Sequence, residues 1–212
     1  MIAPAYTDIT GLAGVATTLA AALFTIPALR LISRPRKAAL FVTVLSLVLI
    51  PFGALSVASC VRGLLGDLSI TTLILLVGSV SAKLPGRWRG DQSARLALLT
   101  LISAAAHALY PMALGVGMFD PYRLGYGSPW FVGVLFVIAL AAWFTRLELI
   151  SICIATATLA WTLRWYESTN LWDYLIDPLV SFYALGCLLR RGALRLSGNF
   201  RSEKPSAASA IS

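Results

Sequence analysis

Long apolar runs recur along almost the whole of this 212-residue chain, and they constrain its fold more than any other feature. Hydrophobic residues make up 58% of the sequence and charged residues 12%. A soluble domain carries roughly 45–50% and about 25% respectively. So few charges cannot coat a globule in water. A soluble enzyme, a disordered chain and a fibrous protein are therefore excluded, and one compact polytopic membrane bundle remains.

The apolar runs predict an all-α fold, because a membrane-spanning helix needs about 20 mostly apolar residues. We predict one transmembrane domain of seven helices at residues 1–191 and a basic, polar, partly disordered tail at 192–212. Only a few residues separate the fifth span from the sixth, so this stretch is either a hairpin or one long tilted element, and six spans remain an alternative. The predicted spans are 11–31, 39–59, 64–82, 94–117, 128–145, 147–163 and 171–189.

The basic residues divide unequally between the two sides of this topology. With the N-terminus outside, 14 of the 17 Lys and Arg residues lie on the cytoplasmic side, and only Arg62, Arg123 and Arg164 lie outside. An excess of Lys and Arg in cytoplasmic loops orients membrane proteins, so we predict an outer N-terminus and a cytoplasmic C-terminus. The same rule explains the net charge of +8 without a nucleic-acid partner.

Two further features refine the predicted location. The first basic residue is Arg30, which follows the first apolar run, so the N-terminal segment is predicted to be retained rather than cleaved as a secretory signal. Arginine greatly outnumbers lysine, which is typical of GC-rich bacterial genomes. We therefore predict a multi-pass protein of the bacterial inner membrane.

Two prolines predict irregularities within spans. Pro51 falls inside the second span and is expected to kink it. A seventh helix that began at Pro178 would reach Arg191 after only about 21 Å, which is too short for a core of ~30 Å. The seventh helix is therefore predicted to begin earlier and to bend at Pro178.

Aromatic and charged residues concentrate in two outer connections, residues 110–130 and 161–174. These stretches hold nine of the thirteen Trp and Tyr residues, whereas interfacial aromatics ordinarily line both membrane surfaces. Aromatic faces bind apolar or cationic surfaces, and carboxylates accept hydrogen bonds. We predict that the two connections lie side by side and form one ligand site. Its candidate residues are Asp120, Tyr122, Arg123, Tyr126, Arg164, Glu167, Trp172, Asp173 and Asp177, with His107 beneath them.

The carboxylates also have structural interpretations. Asp177 precedes a proline and fits a helix N-cap, Asp120 fits the start of a turn, and Asn170 with Asp173 resembles a capping box. If Asp173 and Asp177 share a helix, their spacing places both on one face. Arg164 is then the expected partner of one of them, as Arg123 is of Asp120. If these pairs only neutralise each other, the cluster is scaffolding.

Other chemistry is weakly represented. His107 is the sole histidine, and a lone histidine in a membrane bundle is more often an interhelical hydrogen bonder than a ligand. Cys60, Cys153 and Cys187 lack the spacing of a disulfide framework or a zinc site. The chain has no HExxH, GxSxG or P-loop motif. We predict neither a metal site nor a cofactor.

Three functional hypotheses follow. The first is a transporter or lipid-handling protein that binds a polar or amphiphilic ligand, such as a lipid headgroup, a sugar or a cation, from its outer face. The second is an accessory or scaffolding subunit of a larger membrane complex, with a membrane protein or a second copy as its partner. The third is a membrane-embedded enzyme that uses paired carboxylates on a lipid-linked substrate. Membrane lipids are partners in each.

Overall fold

The computed structural model describes residues 6–22, 32–53, 55–81 and 91–202, and it confirms the all-α prediction. Within these ranges the chain forms nine α-helices, one 3₁₀ helix and one very short β-hairpin. The α-helices are α1 (Tyr6–Ala22), α2 (Arg34–Leu49), α3 (Val57–Leu65), α4 (Ile70–Ser81), α5 (Gln92–Ala113), α6 (Pro129–Phe144), α7 (Glu148–Thr162), α8 (Leu171–Leu175) and α9 (Pro178–Ser202). The predicted end of the first span, residues 23–31, lies outside the described residues.

The second predicted span is broken rather than kinked. Helix α2 ends at Leu49, and a hairpin follows in which β1 (Pro51–Phe52) pairs with β2 (Leu55–Ser56). Proline lacks the N–H that would continue a helix, and its ring clashes with the preceding turn. The chain then enters α3, whose N-cap Ser56 accepts a hydrogen bond from the Ser59 N–H at 3.1 Å.

The fifth and sixth predicted spans form a helical hairpin, α6 and α7. The two helices are joined by a turn in which Arg146 adopts a left-handed backbone conformation with φ of 63°. The interpretation of this stretch as one long tilted element is therefore wrong. Helix α6 begins at Pro129 after Ser128, as the Ser-Pro pair predicts.

The seventh predicted span differs most from the structure. Helix α8 stops at Leu175, Ile176 is extended with φ of −139°, and a new helix begins at Pro178. The bend predicted at Pro178 is thus a complete break, because a residue before proline is disfavoured in the helical region. Helix α9 compensates with 25 residues, about 37 Å, and it includes residues 192–202 of the predicted tail. Residues 203–212 lie outside the described ranges.

Two apolar clusters hold the helices together. The larger cluster contains residues of all six helices from α4 through α9. It includes the fully buried side chains of Ala157, Tyr174 and Ala184. The smaller one joins α1 to α3 through Val15, Ala16 and their neighbours. Alanines at the contacts allow the helix backbones to approach closely.

Membrane-crossing potential differs among the helices. Of those that the structure describes, Gln92–Ala113 is the one long and apolar enough to cross a membrane by itself. Four shorter apolar helices of 10–17 residues accompany it within the described ranges, namely α1, α4, α6 and α7.

Candidate functional site

The two aromatic connections lie side by side, as predicted. The Trp172 indole N–H donates to the Pro121 carbonyl at 3.0 Å, and the Asn170 side-chain amide donates to the Tyr122 carbonyl at 2.9 Å. The 3₁₀ helix Pro121–Gly125 thereby packs against α8. We call this assembly, residues 120–127 with 166–177, the loop cap.

Asp173 fastens the centre of the loop cap. The Tyr122 hydroxyl donates to this carboxylate and lies 3.0 Å from both of its oxygens, and the Ser168 hydroxyl donates to it as well. Burial, followed by the negative charge of Asp173, raises the pKa of Tyr122. Tyr122 therefore donates to Asp173 as a neutral phenol, and this hydrogen bond links the two connections.

Two further polar residues of the loop cap are helix caps. The Asp120 carboxylate accepts from the Tyr122 N–H at 3.0 Å and begins the 3₁₀ helix, and the Asn170 side chain accepts from the Trp172 N–H at 3.0 Å. The turn and cap interpretations of these residues are confirmed. Asp173 does not complete a capping box, because Tyr122 and Ser168 occupy its oxygens instead.

Gly125 fits against Asn170 so closely that no side chain is tolerated there. A Cβ atom on Gly125 would lie 1.8 Å from the Asn170 side-chain oxygen, and Asn170 is fully buried and cannot move away. We expect Gly125→Ala to lower stability by about 1–3 kcal/mol, the range found for overpacking. Thermal unfolding of the variant and the wild type measures this loss.

Gly133→Ala is the matched control for this substitution. Gly133 lies within α6, and a Cβ atom added there would have no neighbour within 4 Å. Alanine is also the better helix former, so the control should be neutral or slightly stabilising. Equal stability of the two variants would contradict the close packing of Gly125 on Asn170.

Asp177 is buried and joins two helix starts. Its carboxylate accepts from the Ser69 N–H at 2.7 Å, from the Val180 N–H at 2.7 Å and from the Thr72 hydroxyl. The N-cap interpretation is confirmed. The shared helix face with Asp173 is wrong, because the break at residues 176–177 separates the two residues.

The predicted partners of these carboxylates are also wrong. In the part of the chain that the structure describes, the ion pairs all involve Arg62 and not Arg123 or Arg164. Both of those arginines are exposed, and Arg164 has a left-handed backbone with φ of 52°. The carboxylates of Asp120, Asp173 and Asp177 accept hydrogen bonds from hydroxyl and N–H donors instead.

Arg62 organises a second polar cluster, which sequence reasoning missed. Its guanidinium lies 2.6 Å and 3.2 Å from the two Asp67 oxygens, 3.0 Å from Asp8 and 3.6 Å from Glu167. We call these four residues the Arg62 cluster. It ties α1, α3 and the loop before α8 together. Arg62 and Asp67 lie on either side of the turn at Gly66, and this local spacing could have indicated their pairing. Asp8 is 54 positions from Arg62, so no local signal indicates that contact.

The Arg62 cluster carries three carboxylates for one cation. Hydrogen bonding to Asp67 raises the pKa of Arg62, which therefore stays charged. A hydrogen bond with Asp8 raises the pKa of Glu167 above its ordinary value, although Arg62 opposes the shift. Gly11 permits this packing, since a Cβ there would lie 2.1 Å from an Asp67 oxygen.

The remaining predicted residues lie on the surface. Tyr126, Arg123 and Arg164 are exposed, and Tyr126 packs edge-on against Tyr122 with ring centroids 5.8 Å apart. His107 is exposed on α5, and its Nδ1 lies 2.7 Å from the Ser103 carbonyl of the preceding turn. That contact lies within α5, so it does not link His107 to the loop cap.

An apolar groove runs beneath the loop cap. It has a volume of about 160 Å³ between α5 and α6, and its floor is formed by α7. Leu101 and Val134 lie on the two sides of the groove and are exposed, so the groove opens sideways between α5 and α6. Trp172 and Phe131 close its upper end with their rings 4.5 Å apart. Trp172 thus belongs to both the loop cap and the groove.

No group of three His, Cys, Asp or Glu side chains arranged to hold a metal ion occurs among the described residues. Comparison of the chain with known protein families, curated proteins and solved structures gives no match in any of the three. A function for this chain therefore has to be argued from its own structure.

Proposed function

We propose that this chain is a multi-pass membrane protein in which α1, α2, α4, α5, α6, α7 and α9 cross the bilayer, with the N-terminus outside. The exposed apolar side chains of α6 support this proposal. Trp130 is 85% exposed, Phe136 65% and Phe144 77%. Water would be a poor solvent for such a helix, whereas lipid would be a good one.

The distribution of polar groups along the helices also supports this topology. The loop cap lies beyond the C-terminal end of α5, and Arg95 lies near its N-terminal end, about 27 Å away for an 18-residue rise. Helices α6 and α7, with 16 and 15 residues, are shorter than the bilayer core. Short spans are accommodated by local thinning of the bilayer at a modest cost.

The function that the geometry supports best is binding of an amphiphilic lipid ligand from the outer leaflet, with part of its apolar chain in the groove. The observation that carries this proposal is the groove itself. It is lined almost wholly by apolar side chains, opens sideways between two helices and ends at Trp172 of the loop cap. An apolar cavity of about 150 Å³ stays dry and accepts a benzene-sized apolar group.

The loop cap would then hold the polar end of the ligand at the membrane surface. Arg123 and Tyr126 are exposed on the cap, whose Trp172 indole closes the groove. The carboxylates of Asp120, Asp173 and Asp177 already accept internal hydrogen bonds. They fix the shape of the cap, so a phosphate or hydroxyl headgroup that meets Arg123 fits better than a cation.

The paired-carboxylate enzyme has less support than lipid binding. That mechanism requires two carboxylates that face one substrate with separated pKa values. Asp173 is engaged by Tyr122 and Ser168, whereas Asp177 is buried against Ser69 and Val180. A role as a subunit of a larger complex would instead use the exposed face of α6.

Filling the groove tests the proposal. We expect Ala105→Phe, within the groove, to weaken binding of dioleoyl phosphatidylglycerol to the delipidated protein at least tenfold, measured by native mass spectrometry. Ala108→Phe, on an exposed part of the same helix, should bind like the wild type. Equal binding by both variants would refute the groove as a lipid site.

A further inference from the structure

A second and larger cavity lies at the opposite end of the bundle from the loop cap. Its volume is about 810 Å³, within the 300–1,000 Å³ that small-molecule sites commonly occupy. Side chains of α4, α5 and α9, with the turn before α7 and the first residues of that helix, line it. We call it the inner cavity. It shares no lining residue with the groove, and its wall carries charged side chains, which the groove lacks.

Three arginines from separate parts of the chain converge on the inner cavity. Arg95 comes from the first turn of α5, Arg146 from the turn between α6 and α7, and Arg191 from α9. Across the described ranges, none of the three forms an ion pair. The Arg95 guanidinium instead donates to the Tyr183 hydroxyl, which also lines the cavity.

The carboxylates of the cavity wall leave this positive charge in excess. Asp91 accepts hydrogen bonds from the Ser93 N–H and hydroxyl, which lower the pKa of its carboxyl and commit it to capping α5. Glu148 is exposed in the first turn of α7. Three arginines and two carboxylates give the lining a net charge of +1, and the positive charges lie on guanidinium groups that each carry five N–H donors.

We propose that the inner cavity binds a phosphate-bearing anion. Guanidinium groups match phosphate oxygens with two parallel hydrogen bonds, and several of them around one concave space select for a multiply charged oxyanion. The phosphate belongs either to an anionic lipid headgroup that enters from the inner leaflet or to a free phosphate group. This site does not depend on the groove, since different side chains form it.

The test measures binding to the full chain in detergent with two probes, inorganic phosphate and dioleoyl phosphatidylglycerol in mixed micelles. Phosphatidylcholine, a zwitterionic lipid with no net charge, is the control lipid. Ala105→Phe is introduced throughout to block the groove. We expect Arg95→Gln and Arg146→Gln each to weaken binding about tenfold or more, as loss of a charge-assisted hydrogen bond predicts.

Arg190→Gln is the matched control, because Arg190 is exposed beside Arg191 but does not line the cavity. It should bind like the parent. Binding of both probes identifies a site for free phosphate, and binding of phosphatidylglycerol alone identifies a headgroup site. Absence of binding, or equal weakening by Arg190→Gln and Arg95→Gln, would overturn the proposal. Arg146 is exposed, so its variant keeps the test valid if Arg95→Gln fails to fold.

Discussion

Asp177→Ala is expected to destabilise the protein by about 3–4 kcal/mol, the largest effect of any single substitution proposed for this chain. The variant would leave the Ser69 and Val180 N–H groups buried without an acceptor, and each such group costs about 1–3 kcal/mol. The apparent melting temperature in detergent should fall by about 10 °C. The break between α8 and α9 should also become more accessible to proteases.

Asp177→Asn separates the two contributions of this residue. Asparagine has nearly the same volume as aspartate and keeps one acceptor oxygen. In place of the other oxygen it has an NH₂ group, which cannot accept a hydrogen bond from the N–H groups that donate to Asp177. We expect it to lose about half as much stability as the alanine variant. Asp91→Ala removes another helix cap, but one that is fully exposed, and should have little effect. A similar loss in Asp91→Ala and Asp177→Ala would contradict the buried bridge.

Arg62→Leu is expected to have the second largest effect, about 2–3 kcal/mol at neutral pH. It removes the cation from a cluster of three carboxylates that are partly screened by solvent, so the loss is smaller than that for a fully buried pair. Arg62→Lys keeps the charge but loses the forked geometry and should recover part of the stability. Thermal unfolding of the wild type, Arg62→Leu and Arg62→Lys in one detergent measures the order of their stabilities.

The pH dependence of the stability of Arg62→Leu tests the Arg62 cluster more sharply than the size of the stability loss does. Glu167 already has a raised pKa because it hydrogen bonds to Asp8, and loss of the cation raises it further. A carboxyl with a raised pKa in the folded state stabilises the fold below its unfolded pKa, and that stability is lost as pH rises through the folded value. The melting temperature of Arg62→Leu should therefore rise on acidification more than that of the wild type. Identical pH profiles would contradict the cluster.

The helical class and the adjacency of the two aromatic connections can be predicted from the sequence because local signals indicate both. Apolar length predicts helices, and Ser128-Pro129 predicts the start of α6. Trp and Tyr enrichment identifies the two connections that pack through Trp172 and Pro121. These features depend on the residue composition of short stretches, and a single sequence is enough to show that composition.

The partners of the charged residues could not be predicted, because they are set by tertiary packing. Asp177 accepts from Ser69, 108 positions earlier, and Arg62 reaches Asp8 across 54 positions. Nothing local indicates that Tyr122, rather than Arg164, approaches Asp173. The break before Pro178 departs from the prediction for a different reason: the length argument ends the helix near Arg191, whereas α9 continues to Ser202.

The central proposal, a lipid chain held beneath the loop cap, can be tested most directly by fluorescence of Trp172. The chain has six tryptophans, so the other five are replaced by phenylalanine, and the protein is reconstituted in vesicles of phosphatidylglycerol brominated along one acyl chain. We predict strong quenching of Trp172 that Ala105→Phe largely removes and Ala108→Phe does not. Quenching that is absent, or equal in both variants, would contradict the proposal.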